Sequence, residues 1–313
     1  ARTQRSPEVD LMPWRKLGRI YTPDGQRGWA QSHASVPIAD HVSENRYRIY
    51  FTARDDGNRS HVGWCEININ NPEKILAESE DPVLAPGKLG AFDMDGVMAS
   101  TLVRFGEERR LYYIGWNRAF GVPFRNCIGL AVRKTPDGPF ERLFDGPVLD
   151  RGPSDPYFLA SHDIVVDGAS WHIWYLSGLD WIPGDPPNST YNLRYAVSED
   201  GITWQRHGTV AVDFAHQNEI AIARPTVIRD GDLWRMWYCY RGTDFPYRIG
   251  YAESDDAVTW TRRDASAGIV ASDKGWDSEM LCYPHVFDHS GQRYMLYNGN
   301  GYGASGIGLA ILE

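Results

Sequence analysis

The chain has 313 residues, with 32 Lys and Arg against 41 Asp and Glu, giving a formal charge of −9. That balance argues against a nucleic-acid partner, which needs a surplus of clustered basic residues. Hydrophobic residues make up 42% and charged residues 23%, which excludes disordered and fibrous classes. No apolar run approaches the length of a membrane-spanning helix, so no membrane partner is expected.

Aromatic residues reach 13%, alongside 31 Gly and 19 Pro. Aromatic and β-branched runs broken by Gly, Pro, Asp and Asn are strand-and-turn chemistry, so the fold is expected to be nearly all β. The cysteines, Cys65, Cys127, Cys239 and Cys282, lie far apart inside apolar runs. They read as buried free thiols, which fits a cytoplasmic protein. The sequence begins ARTQRSPE without Met, leaving room for an upstream signal.

In chain order, PWRKLG (13–18) comes first, a string that returns later in other forms. A first unit then runs SHASVPI (32–38), RYRIYF (46–51) and HVGWCEI (61–67). The second is VMASTLV (97–103), RRLYYIGW (109–116), CIGLAVR (127–133) and PFERL (139–143). The third is ASHDIVV (160–166), SWHIWYLSG (170–178), NLRYAVS (192–198) and TWQRHG (203–208). The fourth is IARPTVI (222–228), LWRMWYCYRG (233–242), RIGYAES (248–254) and TWTRRD (259–264). The fifth, LCYPHVF (281–287), RYMLYNGNG (293–301) and SGIGLAI (305–311), ends without its closing string.

Gly63, Gly129, Arg194, Gly250 and Gly308 mark equivalent positions, spaced by 66, 65, 56 and 58 residues. Small sheets recurring at this period read as propeller blades, each burying its faces on its neighbours. PWRKLG then supplies the outer strand of blade five and closes the ring, leaving no exposed edge. The expectation is one domain over residues 1–313, a five-bladed β-propeller.

The first string of each unit is the innermost strand, and alignment puts Ser35, Ser100, His162, Arg224 and Tyr283 at one level around the channel. Buried polar groups are costly, so this ring is expected to face a wet cavity or a ligand. Acids cluster in the loops leading into these strands, GAFDMDG, HQNE and GWDSE. Asp95, Glu219 and Glu279 fall at nearly the same height, and Asp93 matches Asp277. Carboxylates around one funnel split acid and base roles by shifting each other's pKa values, so Asp95, Glu219 and Glu279 are the catalytic candidates. An inverting pair would stand about 6.5–9.5 Å apart and a retaining pair about 5 Å. Asp93 and Asp277 are equally open to binding substrate or to tying turns together.

The loops after each second strand open on the same face and carry Trp116, Trp181, Phe245 and Tyr302 for stacking on a sugar, with Arg54, Asn117, Arg118, Asp180 and Arg241 for its hydroxyls. His33, Asp163 and His285 complete the binding candidates with His162, Arg224 and Tyr283. No HExxH, paired-His or GxSxG spacing occurs, and GNGYG precedes no helix, so neither a cofactor nor a protein-built transition-metal site is expected. A structural cation on Asp93, Asp95, Asp163 or Asp277 remains open.

The strings GWDSEMLCYP (275–284), YNGNGYGASGIGLA (297–310), SEDGITW (198–204) and PWRKLG resemble the five-bladed propellers of glycoside hydrolase families 43, 32, 68, 117 and 130, over nearly the whole chain. The resemblance implies a carbohydrate or sugar-containing ligand in the central funnel and chemistry at a glycosidic bond. It also implies a blade-one Asp, a supporting Asp matched by Asp163, and a Glu acid near Glu219. Blade one has Ser32, His33 and Ser35 where that Asp belongs. Phosphorolysis of the family-130 kind needs one carboxylic acid plus an anion pocket, for which Arg224, His162, Tyr283 and His285 are candidates. The alternatives are a non-catalytic sugar-binding propeller and a transferase acting on an activated sugar. The sugar, its linkage and the oligomeric state have no signature in the sequence.

Overall fold

The computed structural model describes residues 12–135 and 137–313, as 20 β-strands and two short 3₁₀ turns, with no α-helix among the described residues. No helix among them is long and apolar enough to cross a membrane. Blade one is β2 (Ser32–Ser43), β3 (Arg46–Arg54), β4 (Ser60–Asn68) and β5 (Asn71–Glu78). Blade two is β6 (Gly96–Phe105), β7 (Glu108–Asn117), β8 (Arg125–Arg133) and β9 (Glu141–Arg142). Blade three is β10 (Leu159–Asp167), β11 (Ser170–Ile182), β12 (Asn188–Ser198) and β13 (Gln205–Val212). Blade four is β14 (Glu219–Asp230), β15 (Leu233–Gly242), β16 (Arg248–Ser254) and β17 (Thr261–Arg262). Blade five is β18 (Cys282–His289), β19 (Gln292–Asn298), β20 (Ile307–Leu312) and, from the other end of the chain, β1 (Trp14–Tyr21).

The closure is direct: β1 runs antiparallel to β20, with Trp14 opposite Leu312, Lys16 opposite Ala310 and Tyr21 opposite Ile307. The inner strands β2, β6, β10, β14 and β18 neighbour one another in that order, and β18 returns to β2. Each is bulged midway, between Ser35 and Ile38, Ala99 and Thr101, Leu159 and His162, Ala223 and Thr226, and Cys282 and His285. A bulge turns backbone N–H groups out of their own sheet, and these must find acceptors elsewhere.

They find them across the blade junctions. Ala99 N–H donates to Thr52 Oγ1 (3.0 Å), His162 N–H to Ser100 Oγ (2.9 Å) and Arg224 N–H to Ser161 Oγ (2.9 Å). Val286 N–H donates to Thr226 Oγ1 (3.1 Å), and Val36 N–H to Asn298 Oδ1 (2.9 Å), so every junction is crossed by such a bond.

A second fivefold pattern holds the rim. The lead-in loop of each blade carries a charge that pairs with its own outer strand: Arg27 with Glu78 (3.0 Å), Asp93 with Arg142 (2.8 Å), Asp155 with Arg206 (3.0 Å), Glu219 with Arg262 (2.7 Å) and Asp277 with Lys16 (2.7 Å). Blade one reverses the signs. In three blades the second-strand Tyr113, Tyr175 or Tyr297 donates its hydroxyl to the same acid. These rings lie against the marker glycines of the third strand: a Cβ on Gly129 would stand 2.3 Å from Tyr113, and one on Gly250 2.4 Å from Tyr238. The repeat of Gly63, Gly129, Gly250 and Gly308 is therefore a repeat of close ring contact. In blade three Arg194 replaces the glycine and reaches Asp155 instead.

The four cysteines are buried free thiols. Ser100→Ala removes the acceptor for His162 N–H while leaving the side chain's volume nearly intact. It is expected to cost about 1–3 kcal/mol of unfolding free energy, read from urea titration.

Candidate functional site in the funnel mouth

The inner strands begin, and the second strands end, on one face, where Ser32 lies opposite Arg54, Gly96 opposite Trp116 and Glu219 opposite Gly242. The loops after the second strands and the lead-in loops therefore share this face, which makes it the mouth of the funnel.

Of the five side chains at one level, Ser35, Ser100, His162 and Arg224 are buried; among the described residues the serine hydroxyls find partners, whereas His162 Nε2 and Arg224 Nε and Nη2 find none. Ser35 Oγ donates to Tyr302 O (2.6 Å), Ser100 Oγ to His162 O (2.8 Å) and Arg224 Nη1 to His162 O (3.2 Å) and Pro225 O (3.0 Å). The polar residues serve the bulged junctions, which a sequence alignment of levels does not reveal. Tyr283 and His285 are half-buried and line what remains of the channel, where His285 Nδ1 has no hydrogen-bond partner among the described residues. His33, Arg224 and Tyr283 have φ of 63°, 50° and 53°, a left-handed backbone that costs energy for any residue with a Cβ and marks where the inner strands are bent.

Electrostatics follow burial. Desolvation, then the nearby Arg224 charge, pushes His285 down to about 3. Burial likewise takes His162 to about 3 and His33, beside Arg54, to about 4, so all three are neutral near pH 7. Asp163 is raised to about 6 by burial, against the pull of Arg224 and of its donors: Val227 N–H (2.7 Å), Ile164 N–H (3.0 Å) and Thr101 Oγ1 (3.2 Å). Asp163 is thus a tie among blades two, three and four.

The three acids aligned by sequence occupy three settings. Glu219 is buried and faces outward, with Oε2 2.7 Å and Oε1 3.1 Å from the Arg262 guanidinium and with Ala215 N–H as a further donor (2.9 Å). Asp93 and Asp277, also buried, are held in the equivalent clamps, so these three carboxylates face their own outer strands instead of the channel. Glu279 is exposed at the edge of a cleft between blades four and five. Asp95 ends its lead-in loop at the top of β6, where Oδ2 accepts from Arg118 N–H (2.8 Å) and Oδ1 lies 3.7 Å from Arg118 Nη1. Of the three, Asp95 has only this looser pair with Arg118, and Glu279 has no ion pair among the described residues. Among the described residues no three His, Cys, Asp or Glu side chains cluster at metal-ligand spacing.

Aromatic side chains are what the mouth brings together. Trp181 packs on Phe124 (5.2 Å between ring centres) and Phe158 (5.3 Å), and Phe158 meets Tyr191 at 6.1 Å. The Tyr191 hydroxyl is 2.5 Å from that of Tyr247, whose ring lies 6.2 Å from Tyr283 and 6.0 Å from Tyr302. Arg241 covers Tyr191 and Tyr247 at 5.9 and 5.7 Å. Trp116, by contrast, is tied to the neighbouring blade one, donating Nε1–H to Ser60 Oγ at 2.6 Å. Tyr191 and Tyr247 were not singled out from the sequence, although both stand three residues before a marker position, Arg194 and Gly250.

No family model matches the chain. Two Mycobacterium tuberculosis proteins, Uncharacterized protein MT1551 of strain CDC 1551 / Oshkosh and Uncharacterized protein Rv1502 of strain ATCC 25618 / H37Rv, are each 43% identical over 302 residues, 96% of this chain and 100% of each relative. Among solved structures, a protein described as glycoside hydrolase has a TM-score of 0.74 at 18% identity, covering 96% of this chain and 91% of its own. A thermostable family-43 glycoside hydrolase gives 0.66 at 18% identity, over 93% and 91% of the two chains. An exo-1,5-alpha-L-arabinanase from a bovine ruminal metagenomic library gives 0.59 at 16% identity, over 89% and 92%.

Glu219→Gln removes one of the two carboxylates paired with Arg262, Asp264 at 2.6 Å being the other, so it is expected to cost about 1–3 kcal/mol in urea unfolding. Near pH 6 the histidines decide the pH response. His33, His162 and His285, with His61 and His172, have folded pKa values below 6.5, so their contribution is full above that pH and is lost as pH falls below it. Asp163, raised from 3.8 to about 6, acts oppositely but alone among these groups. The urea midpoint is expected to fall between pH 7 and 5, and less steeply in His285→Gln. In sequence the chain belongs to the family of these mycobacterial proteins, and it carries the five-bladed propeller shared with the glycoside hydrolases.

Proposed function

We propose that the protein is a carbohydrate-active enzyme that binds a sugar in the funnel mouth and breaks or transfers a glycosidic bond, with Asp95 as the proton-transferring carboxylate. The observation that carries this reading is the aromatic wall of Tyr191, Tyr247, Tyr283 and Tyr302 with Arg241 across it. Sugar rings offer apolar C–H faces and a rim of hydroxyls, and rigid tyrosines beside a guanidinium match both. The glycoside hydrolases that share the fold support the same substrate class.

Glu219 is neutralised by Arg262, Glu279 stands at the edge of the cleft between blades four and five, and blade one offers a neutral His33 in place of an acid. One available carboxylate suits exchange with an incoming nucleophile that needs no second protein base, such as phosphate, better than two-carboxylate hydrolysis. The same commitments favour a second reading, a propeller that binds glycans without turning them over.

Assays on a glycan panel with and without inorganic phosphate separate the two. Asp95→Asn is expected to lower turnover by about 10²–10⁴-fold with binding retained. Unchanged turnover in that variant would remove Asp95 from the chemistry. Binding without turnover in the unaltered protein, weakened by Tyr302→Ala, would establish the second reading.

A further inference from the structure

On the face opposite the mouth, where the inner strands end and the second strands begin, a pocket of about 370 Å³ lies between blades one and two. Asp40 reaches it from the end of β2, Glu107 from the turn after β6, Arg109 from the start of β7, and Arg133 and Lys134 from the end of β8 and just beyond it. Cations and acids are unevenly matched there. Asp40 is a buried carboxylate approached by three guanidinium groups, those of Arg104 at 2.6 Å, Arg133 at 3.5 Å and Arg109 at 3.7 Å. Nearby the charges balance, since Arg46 and Arg48 share Glu66 and Arg48 also pairs with Asp137.

Arg104 takes the closest share of Asp40, with Nε and Nη2 both on Oδ1 at 3.2 and 2.6 Å. Arg133 is fixed by other means: it is buried, its Nη1 donates to the Tyr50 hydroxyl (2.6 Å), and its guanidinium lies 5.1 Å from the centre of the Phe140 ring. Arg109 is left over. Its guanidinium makes no hydrogen bond among the described residues, and its Nε is buried without an acceptor. Lys134, exposed at the rim, has no ion pair or hydrogen bond among them either. With Lys134 offset by Glu107, three arginines on the one Asp40 carboxylate leave an excess of two positive charges, in a chain whose formal charge is −9. A buried N–H without an acceptor and a charge without a counter-charge are both costly, and an oxyanion relieves both at once. A phosphate group brings the matching charge and several oxygens for the planar fork of Arg109 and the ammonium of Lys134, whereas a single carboxylate brings half that charge.

We infer that this pocket is a second binding site, on the face away from the mouth, that holds a phosphate group through Arg109 and Lys134, with Arg133 as its rigid floor. The site does not rest on the binding of a sugar in the mouth. Its volume is in the range of pockets that take small organic molecules, so free phosphate and a phosphate monoester both suit its chemistry.

The test is calorimetric titration of inorganic phosphate, glycerol 3-phosphate and citrate, at low ionic strength, into the full chain and its Arg109→Gln, Lys134→Gln and Glu107→Gln variants, with the folded state of each checked by circular dichroism. The expected result is binding of a phosphate that Arg109→Gln weakens by about tenfold or more. Lys134→Gln is expected to weaken it as well, and Glu107→Gln to strengthen it by removing a like charge from the wall. Tighter binding of glycerol 3-phosphate assigns the pocket to a monoester, and tighter binding of inorganic phosphate assigns it to the free ion. Lys134 is exposed and without a partner, so its variant carries the test if Arg109→Gln does not fold. Absence of binding by both phosphates, or binding of citrate alone, would overturn the inference. So would phosphate affinity unchanged in Arg109→Gln and Lys134→Gln, which would place the anion elsewhere, the funnel mouth included. None of these results bears on the sugar reading, which the glycan panel tests separately.

Discussion

The bent inner strands and their N–H groups set the terms for everything else in this molecule. Where an inner strand bulges it loses ladder partners, and the loss is made good by a Thr, Ser or Asn on the preceding blade: Thr52, Ser100, Ser161, Thr226 and Asn298. A bond of this kind contributes modestly, but leaving a buried N–H unmet costs more, so each blade needs its neighbour. The last link, from Asn298 back to Val36, joins the end of the chain to its beginning, as the pairing of β1 with β20 does at the rim. Ser100, Ser161 and Asp163 thus have a structural reason to be there, whereas His162 Nε2 and Arg224 Nε and Nη2 are buried without partners among the described residues.

Charge is used in the same spirit farther out. Each blade fixes its lead-in loop to its outer strand by one ion pair, buried on the acid side in four of the five. Such a pair adds little net stability over a well-packed apolar alternative, but its loss leaves a charge without a partner. It also holds the loops that form the mouth. Asp95 escapes this role because Asp93, two residues earlier, already fills it, which leaves Asp95 at the head of β6.

Much of the fold was legible because the strands of a propeller repeat. The strings 233–242 and 248–254 coincide with β15 and β16, and the closing role of residues 13–18 follows from a gap at the other end of the chain. β5 is hidden in the sequence because NPEKILAE has no aromatic residue and carries an acid, Glu78, where the other outer strands place the base that pairs with the lead-in loop. The site was less legible. Alignment by height groups Glu219 with Asp95 and Glu279, whereas Glu219 turns toward β17 and fills the clamp position that Asp93 and Asp277 hold in their blades. The missing signal was present in the outer-strand strings, where Arg142, Arg206, Arg262 and Lys16 hold one aligned position, each matched by an acid in the lead-in loop of its blade. Tyr191 and Tyr247 lie at the ends of loops in which Trp181 and Phe245 are the more prominent aromatic signals.

The account turns on the mouth being where a sugar binds, and a crystal structure of the protein soaked with a glycoside that it binds in solution tests this most directly. The expected result is a sugar ring against the Tyr247, Tyr283 and Tyr302 wall, with its glycosidic oxygen within hydrogen-bond reach of Asp95. Density for the sugar on another face, or in the mouth with Asp95 turned away and still held by Arg118, would contradict it.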